Sequence, residues 1–395
     1  MTDECKPILN TGLRGVSVAS TRISDVNGKE GKLIYRGYLV KDLAENACFE
    51  EVVFLLLFEK MPNSNELESF KKQIAAERAI PSQVIDALKT RPADALPMDI
   101  LQAGVSMLAH HDPDTKIDGS RDASLGMGIK LIAKLPTLLA AWERIKNGKE
   151  PVEPLLELGQ SANFLYMMSG NVPDDELTGF FDACLTLHAE HSFNASTFSA
   201  RGVASTRAHM YASVAAGVGS LSGALHGGAN TRVMMMLKKI GSIDAIESYI
   251  NNELETGGKI MGLGHAVYQV DDPRALILAP MSKKMGERVG ETKWYEISEA
   301  LEQKAKAAFK KHKNMDIYVN VDFYSASLYY SMGIDMDMFT PLFAISRVAG
   351  WAAHVMEEQF ADAAHKPMLY RPASDYIGDY CGPDECTLDP IEDRS

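Results

Sequence analysis

A chain of 395 residues is too long for one ordinary core and points to two or three lobes. Hydrophobic residues make up 46% and charged residues 24%, globular values that argue against disorder, a fibrous protein or a membrane protein. The formal net charge of −13 argues against a nucleic-acid partner, so an anionic ligand must find a local basic pocket.

In chain order, Val16-Ser-Val-Ala-Ser-Thr21 and Lys32-Leu-Ile-Tyr-Arg36 flank Asp25-Val-Asn-Gly28, and alternation around an Asn-Gly turn predicts a β-hairpin, the one sheet expected. From Val40 onward the pattern is helical. Residues 50–58, 99–109 and 123–146 repeat apolar side chains at three and four, and Pro136 predicts a kink in the last of them. The stretch Asp175 to Glu190 opens with acids, as a helix N-terminus should, and sets Phe181, Cys184, His188 and His191 along one stripe. Thr340 and Pro341 read as an N-cap and a first-turn proline opening a helix over 342–358. With no βαβ alternation, repeat or low-complexity tract, the expected fold is mainly α with one small N-terminal hairpin. Residues 221–330 are richer in Lys than the chain average, which suggests a small lobe there, against a large one made of 1–220 and 331–395.

Five cysteines, Cys5, Cys48, Cys184, Cys381 and Cys386, are an odd and scattered set without CxxC spacing, which fits a reducing compartment. The N-terminus carries acids and no targeting pattern, and no run of about 18 apolar residues occurs. A cytoplasmic protein is expected.

Among ten histidines, His110, His111, His209, His312, His354 and His365 lack supporting glycines or charges and read as structural. His188 and His191 could begin a metal site if they share a helix face, yet no HExxH, paired ExxH or Cys cluster supplies further ligands, so no metal is expected. His226 and His265 differ because each is embedded in glycine, in 221–228 and 256–265. Such loops can bring backbone close to a ligand and present N–H groups together with a ring nitrogen to a developing oxyanion; a structural role fits them equally. Asp322 is a lone acid between apolar and aromatic residues, either a helix cap or a carboxylate kept dry enough to act as a base. Arg347 is flanked by Phe343, Gly350 and Trp351 at helical spacing; a buried guanidinium there needs an anion.

The run Gly262-Leu-Gly-His265-Ala-Val-Tyr-Gln-Val-Asp-Asp272-Pro-Arg274 resembles the signature of citrate synthases. Leu33-Ile-Tyr-Arg-Gly-Tyr38, His188-Ala-Glu-His191-Ser-Phe-Asn-Ala-Ser-Thr197, Leu225-His-Gly-Gly-Ala-Asn230, Val319-Asn-Val-Asp322, Met338-Phe-Thr-Pro-Leu-Phe343 and Tyr370-Arg-Pro372 follow the same family's order, spanning residues 12 to 378 or so. The resemblance implies a mainly helical, two-domain, dimeric enzyme that condenses acetyl-CoA with oxaloacetate and hydrolyses the thioester, with no tightly bound cofactor. By the same resemblance Asp322 is the base, His226 holds the thioester oxygen and His265 polarises the 2-oxo carbonyl. His191, Arg274 and Arg347 meet the diacid as cationic donors, and Arg371 reaches in from the neighbouring subunit. Lys259, Gly262, Leu263, Gly264, Ala266 and Val267 are implied for the CoA side. The chain departs from many relatives at Gln269 and Ala266, where a basic residue is common, and Lys259, Lys283 and Lys284 are the cations that could take over the CoA phosphates.

Within that family, 2-methylcitrate synthase uses propionyl-CoA, and one methyl group in an apolar pocket discriminates by only about 1–3 kcal/mol. His191-Ser-Phe-Asn194 and Asp322-Phe-Tyr324 resemble members that accept either acyl group. A non-catalytic metabolite-binding member and a helical metal-carboxylate enzyme are the remaining alternatives. The first would be expected to have lost His226, His265, Asp322 or the arginines; the second requires Glu and His pairs on facing helices.

Overall fold

The computed structural model describes residues 12–13, 15–116, 119–374, 376 and 390–393; Cys5, Cys381 and Cys386 lie outside them. The sheet consists of β1 (Ser24–Asn27), β2 (Lys32–Tyr35) and β3 (Tyr38–Leu39), antiparallel in that order, with Ser24 opposite Tyr35 and Asn27 opposite Lys32. The expected hairpin is present, but its first strand begins at Ser24 rather than Val16. Residues 16–20 are exposed on every side, so their alternation has no face to bury. Asn27 closes β1 rather than forming a two-residue turn: its Oδ1 accepts from the N–H groups of Lys29 and Glu30 and shapes a four-residue loop.

Sixteen helices follow among the described residues: α1 (Val40–Asn46), α2 (Phe49–Phe58), α3 (Ser64–Ala76), α4 (Ser82–Lys89), α5 (Pro97–Ala109), α6 (Arg121–Lys146), α7 (Gln160–Ser169), α8 (Asp175–His188), α9 (Ala195–Ala204), α10 (Met210–Leu221), α11 (Ala229–Ile240), α12 (Ile246–Thr256), α13 (Pro273–Val289), α14 (Lys293–Lys313), α15 (Val321–Ser331) and α16 (Phe339–Phe360). The mainly α expectation holds.

Helix α16 is the axis of the core. Every residue from Phe339 to Glu358 is buried, and the helix packs on α2, α6, α8, α9 and α10. Its large side chains, Trp351 foremost, each contribute about 1.5–3 kcal/mol of burial. Helix α6 is long and apolar enough to cross a membrane by length and composition alone; here it is a core helix, most of it buried within the fold. It runs through Pro136, and the Ile132 carbonyl, which a proline N–H cannot serve, accepts instead from Gln160 Nε2 at 3.0 Å. Helices α11 to α15 pack on one another, with α13 against α15 as their closest pairing.

Two helix ends differ from expectation. Helix α8 is capped by Asp174, whose side chain accepts from Leu177 N–H, but it ends at His188, so His191 lies beyond it and the expected stripe is broken. Helix α16 begins at Phe339, two residues before Pro341, because a 3₁₀ turn over 336–338 leads straight into it. Thr340 is not its cap: the hydroxyl donates to the Gly227 carbonyl at 3.0 Å, while Pro341 sits in the first turn, where an N–H has no partner in any case.

Candidate active site

A cleft of about 700 Å³ opens where β1, the turn after α8, the turn before α11, the loop before α13, the start of α15 and the middle of α16 converge. His191, His226, Gly264, His265, Ala266, Val267, Arg274, Asp322 and Arg347 all line it, so residues spread over more than 150 positions meet in one place. Lys259, Gly262, Leu263 and Arg371 are not among its lining residues. Lys259 is exposed, and Leu263 forms a single bridge to Val319. Gly262, at φ +78°, is pressed against α15: a Cβ there would lie 2.7 Å from the Phe323 ring. That glycine packs the loop closely against the helix. Lys284 lines a separate cleft between α13 and the hairpin, and Lys283 is exposed.

His226 is held by its turn. Gly227 allows the close approach, since a Cβ there would meet the Leu221 carbonyl at 2.1 Å. His226 Nε2 accepts from the Ser196 N–H at 3.1 Å, so the ring proton of the neutral imidazole is on Nδ1. His265 has the opposite tautomer. Its Nδ1 accepts from the N–H groups of Val267 (3.0 Å) and Tyr268 (3.1 Å), which leaves Nε2–H as its donor. Those N–H groups therefore fix the ring rather than facing a ligand, contrary to the loop reading above. Burial, with Arg347 near His226 and Arg274 near His265, pushes both imidazoles down to about 4. Both are neutral donors at pH 7.

Asp322 is not the cap of α15. Asn320 takes that place, its side chain accepting from Asp322 N–H, and Asp322 follows in the first turn, partly open to the cleft. Desolvation outweighs the pull of Arg274 and raises its carboxyl to about 6. Such a carboxylate is ionised at pH 7 and basic enough to take a proton from carbon.

Three arginines surround these groups. Arg347 is 1% exposed, donates from Nε to the His188 carbonyl at 2.7 Å, and keeps a buried Nη2 with no partner among the described residues. Burial lowers its pKa to about 10, so the guanidinium stays charged although it makes no ion pair among the described residues. Arg274 is tied to Asp272 through Nε (3.0 Å) and Nη2 (2.7 Å). Arg232 was not singled out in the sequence; it also lines the cleft, anchored by Nε on the Gly228 carbonyl at 3.0 Å. His191 was expected to be a cationic donor, but burial and the neighbouring Arg274 push it well below its usual pKa, so it is neutral. Its Nε2 lies 3.3 Å from the Tyr268 hydroxyl and its ring centroid 5.5 Å from that of His265. His188 faces elsewhere, with Nδ1 donating to the Cys184 carbonyl and the ring against Phe343, so the two histidines do not converge on a metal.

Chemically, the cleft offers one base of raised pKa, two neutral imidazole N–H donors and a guanidinium lacking its anion. It is the site of a helical enzyme that can deprotonate carbon and hold the resulting charge on oxygen. The family model for the citrate synthase C-terminal domain matches residues 12–373. The chain is 42% identical to the citrate synthase of Synechocystis sp. over 96% of its length and 93% of that protein's. It is 37% identical to the 2-methylcitrate synthase of Shewanella oneidensis, covering 95% of this chain and 96% of that one. A citrate synthase of Thermoplasma acidophilum, solved as a ternary complex with carboxymethyl coenzyme A and oxaloacetate, superimposes with a TM-score of 0.87 at 29% identity, covering 98% of this chain and all of that chain. The chain belongs to the citrate synthase family.

Proposed function

We propose that this enzyme condenses acetyl-CoA with oxaloacetate and hydrolyses the resulting thioester to citrate and CoA. The observation that carries the reading is Arg347, a buried guanidinium that lines the same cleft as the raised carboxylate of Asp322 and whose Nη2 has no partner among the described residues. Asp322 takes a proton from the acetyl methyl carbon while His226 Nδ1–H bonds the thioester oxygen, and the enol so formed attacks the 2-oxo carbon. His265 Nε2–H receives the charge that develops on the oxaloacetate carbonyl oxygen. Arg347, the remaining nitrogen of Arg274 and neutral His191 hold the two carboxylates and fix the face presented to the nucleophile. Water then cleaves the citryl thioester, releasing CoA.

Leu225, fully exposed at the rim, with Ala266 and Val267 provides the apolar wall for the acyl-pantetheine arm, and Gly262, Leu263 and Gly264 shape the loop that carries it. In this reading exposed Lys259 meets CoA phosphate. The cleft lies between 221–330 and the rest of the chain, which supports a small domain that closes on a large one. The protein acts as a homodimer with Arg371 completing the neighbour's site, and its free Cys48 and Cys184 thiols favour the cytoplasm. Relatives of both substrate types leave propionyl-CoA as the second reading. Steady-state kinetics with oxaloacetate and each thioester decide between them: the higher kcat/KM belongs to acetyl-CoA if citrate is the product, and no CoA release with either would overturn the proposal.

A further inference from the structure

The N-terminal hairpin contacts the chain beside each of the two histidines that would hold the oxo acid, at two separate places. On the first side, Ser24 Oγ donates to Glu190 Oε1 at 2.9 Å and accepts from Ser192 N–H at 2.9 Å. Ser192 follows His191 directly and has φ +53°, a left-handed conformation that a side chain adopts only when its surroundings hold it there. Tyr35, opposite Ser24 on β2, donates to the Glu190 carbonyl at 2.8 Å and fixes the same turn from below.

On the second side, the β1–β2 loop lies on the loop that carries His265. The Gly28 carbonyl accepts from Gln269 N–H at 2.8 Å. A Cβ on Gly28 would lie 2.2 Å from the Val267 carbonyl oxygen, so only glycine permits this approach. Val267 is one of the two residues whose N–H groups hold His265 Nδ1. Between these contacts, Asp25 and Val26 of β1 line the cleft itself.

We infer that Ser24 and Gly28 are positioning residues: the hairpin is a brace that sets the distance and angle between His191 and His265, acting through the Ser192 turn and the Val267 peptide. This rests on the proposed reaction and adds to it a device outside the chemical groups.

The two contacts act on different steps, so their variants separate. Ser24→Ala frees the His191 turn and should weaken oxaloacetate binding, read by calorimetry, about tenfold, while the acetyl-CoA KM stays within about twofold. Ser24→Thr, which retains the hydroxyl, should recover most of the affinity. Gly28→Ala displaces Val267 and should lower kcat on the order of ten- to a hundredfold with little change in oxaloacetate affinity. Thermal melts report folding; if Ser24→Ala does not fold, Ser24→Cys keeps the volume with a poorer hydrogen-bonding group and should show the same loss of affinity. Unchanged oxaloacetate affinity in a folded Ser24 variant overturns the inference, as does an equal change of both parameters in the Ser24 and Gly28 variants. Wild-type protein that binds oxaloacetate but releases no CoA would refute the reaction alone, since calorimetry still tests the brace.

Discussion

Asp322 carries both a chemical and a thermodynamic consequence. Its carboxyl lies at about 6 in the fold against 3.8 for an ordinary aspartate, so the folded chain binds a proton that the unfolded chain releases between those values. Stability is therefore undisturbed below about pH 4, falls as pH rises through that window, and carries a cost of roughly 3 kcal/mol above it. Asp322→Asn removes the charge at nearly constant shape. It should lower kcat by about 10²–10⁴ or more, leave oxaloacetate binding intact, and raise Tm at pH 8 but not at pH 4. Near-normal turnover in this variant would assign the base elsewhere. The imidazoles make a separate prediction: with both near 4, kcat/KM should show a single acid limb of unit slope near pH 6. Nitrogen NMR at pH 7 should find the proton on Nδ1 of His226 and on Nε2 of His265; two imidazolium signals would contradict the geometry. The glycines around these two rings and the isolation of Asp322 made the trio visible in the sequence. The tautomers were not, because they depend on the Ser196, Val267 and Tyr268 N–H groups. Nor was the setting of His354, which looked uncharged by neighbours but is bonded to Glu190 at 3.0 Å and Arg201 at 3.0 Å, residues some 150 positions away.

Among elements, α13 shows how a helix start can double as part of a site. Asp272 Oδ1 caps it by accepting from Arg274 N–H at 3.0 Å, and the same carboxylate grips the Arg274 guanidinium, both groups being almost fully buried. Asp272→Ala loses a cap worth about 1 kcal/mol and strands a buried cation at a cost of about 3–5 kcal/mol. Chemical denaturation should register a loss of at least 3 kcal/mol or so; a loss confined to the cap alone would mean that Arg274 finds another partner or reaches water. Asp272→Asn, which keeps the cap, isolates the ionic part. Helix positions were largely legible because a period of 3.6 records one-sided burial, and α2, α5, α6 and α8 begin within two residues of the expected points. Their ends were less so. Thr340-Pro341 has the composition of a helix start, yet the turn over 336–338 carried the start upstream, and the Thr340 hydroxyl went to the Gly227 carbonyl, remote in sequence. The strand expected at 16–21 failed for the same reason: alternation specifies a strand only where another surface covers one face.

At the scale of the whole molecule, the position of Arg371 bears on whether one chain suffices for a complete site. Tyr370, just before it, is anchored to its own chain: its hydroxyl donates to Glu358 Oε2 at 2.6 Å and its ring stacks on Phe198. Arg371 itself is exposed, lines no part of its own cleft, and makes no hydrogen bond or ion pair among the described residues. That placement fits the proposal that Arg371 serves another copy's cleft. In the proposed two-fold dimer this becomes a count of sites. Arg371→Ala and His265→Ala homodimers each carry two defective sites and should be nearly inactive. In a heterodimer purified through two different tags, a trans-acting Arg371 leaves one site with every wild-type group and the other with neither, so activity should return to about half that of the wild type. A cis-acting Arg371 leaves one defect in each site, and the heterodimer stays as inactive as its parents. The same preparation measures oxaloacetate stoichiometry: one site of wild-type affinity per heterodimer is expected if the arginine holds substrate across the interface, and no site of wild-type affinity would assign it to its own chain.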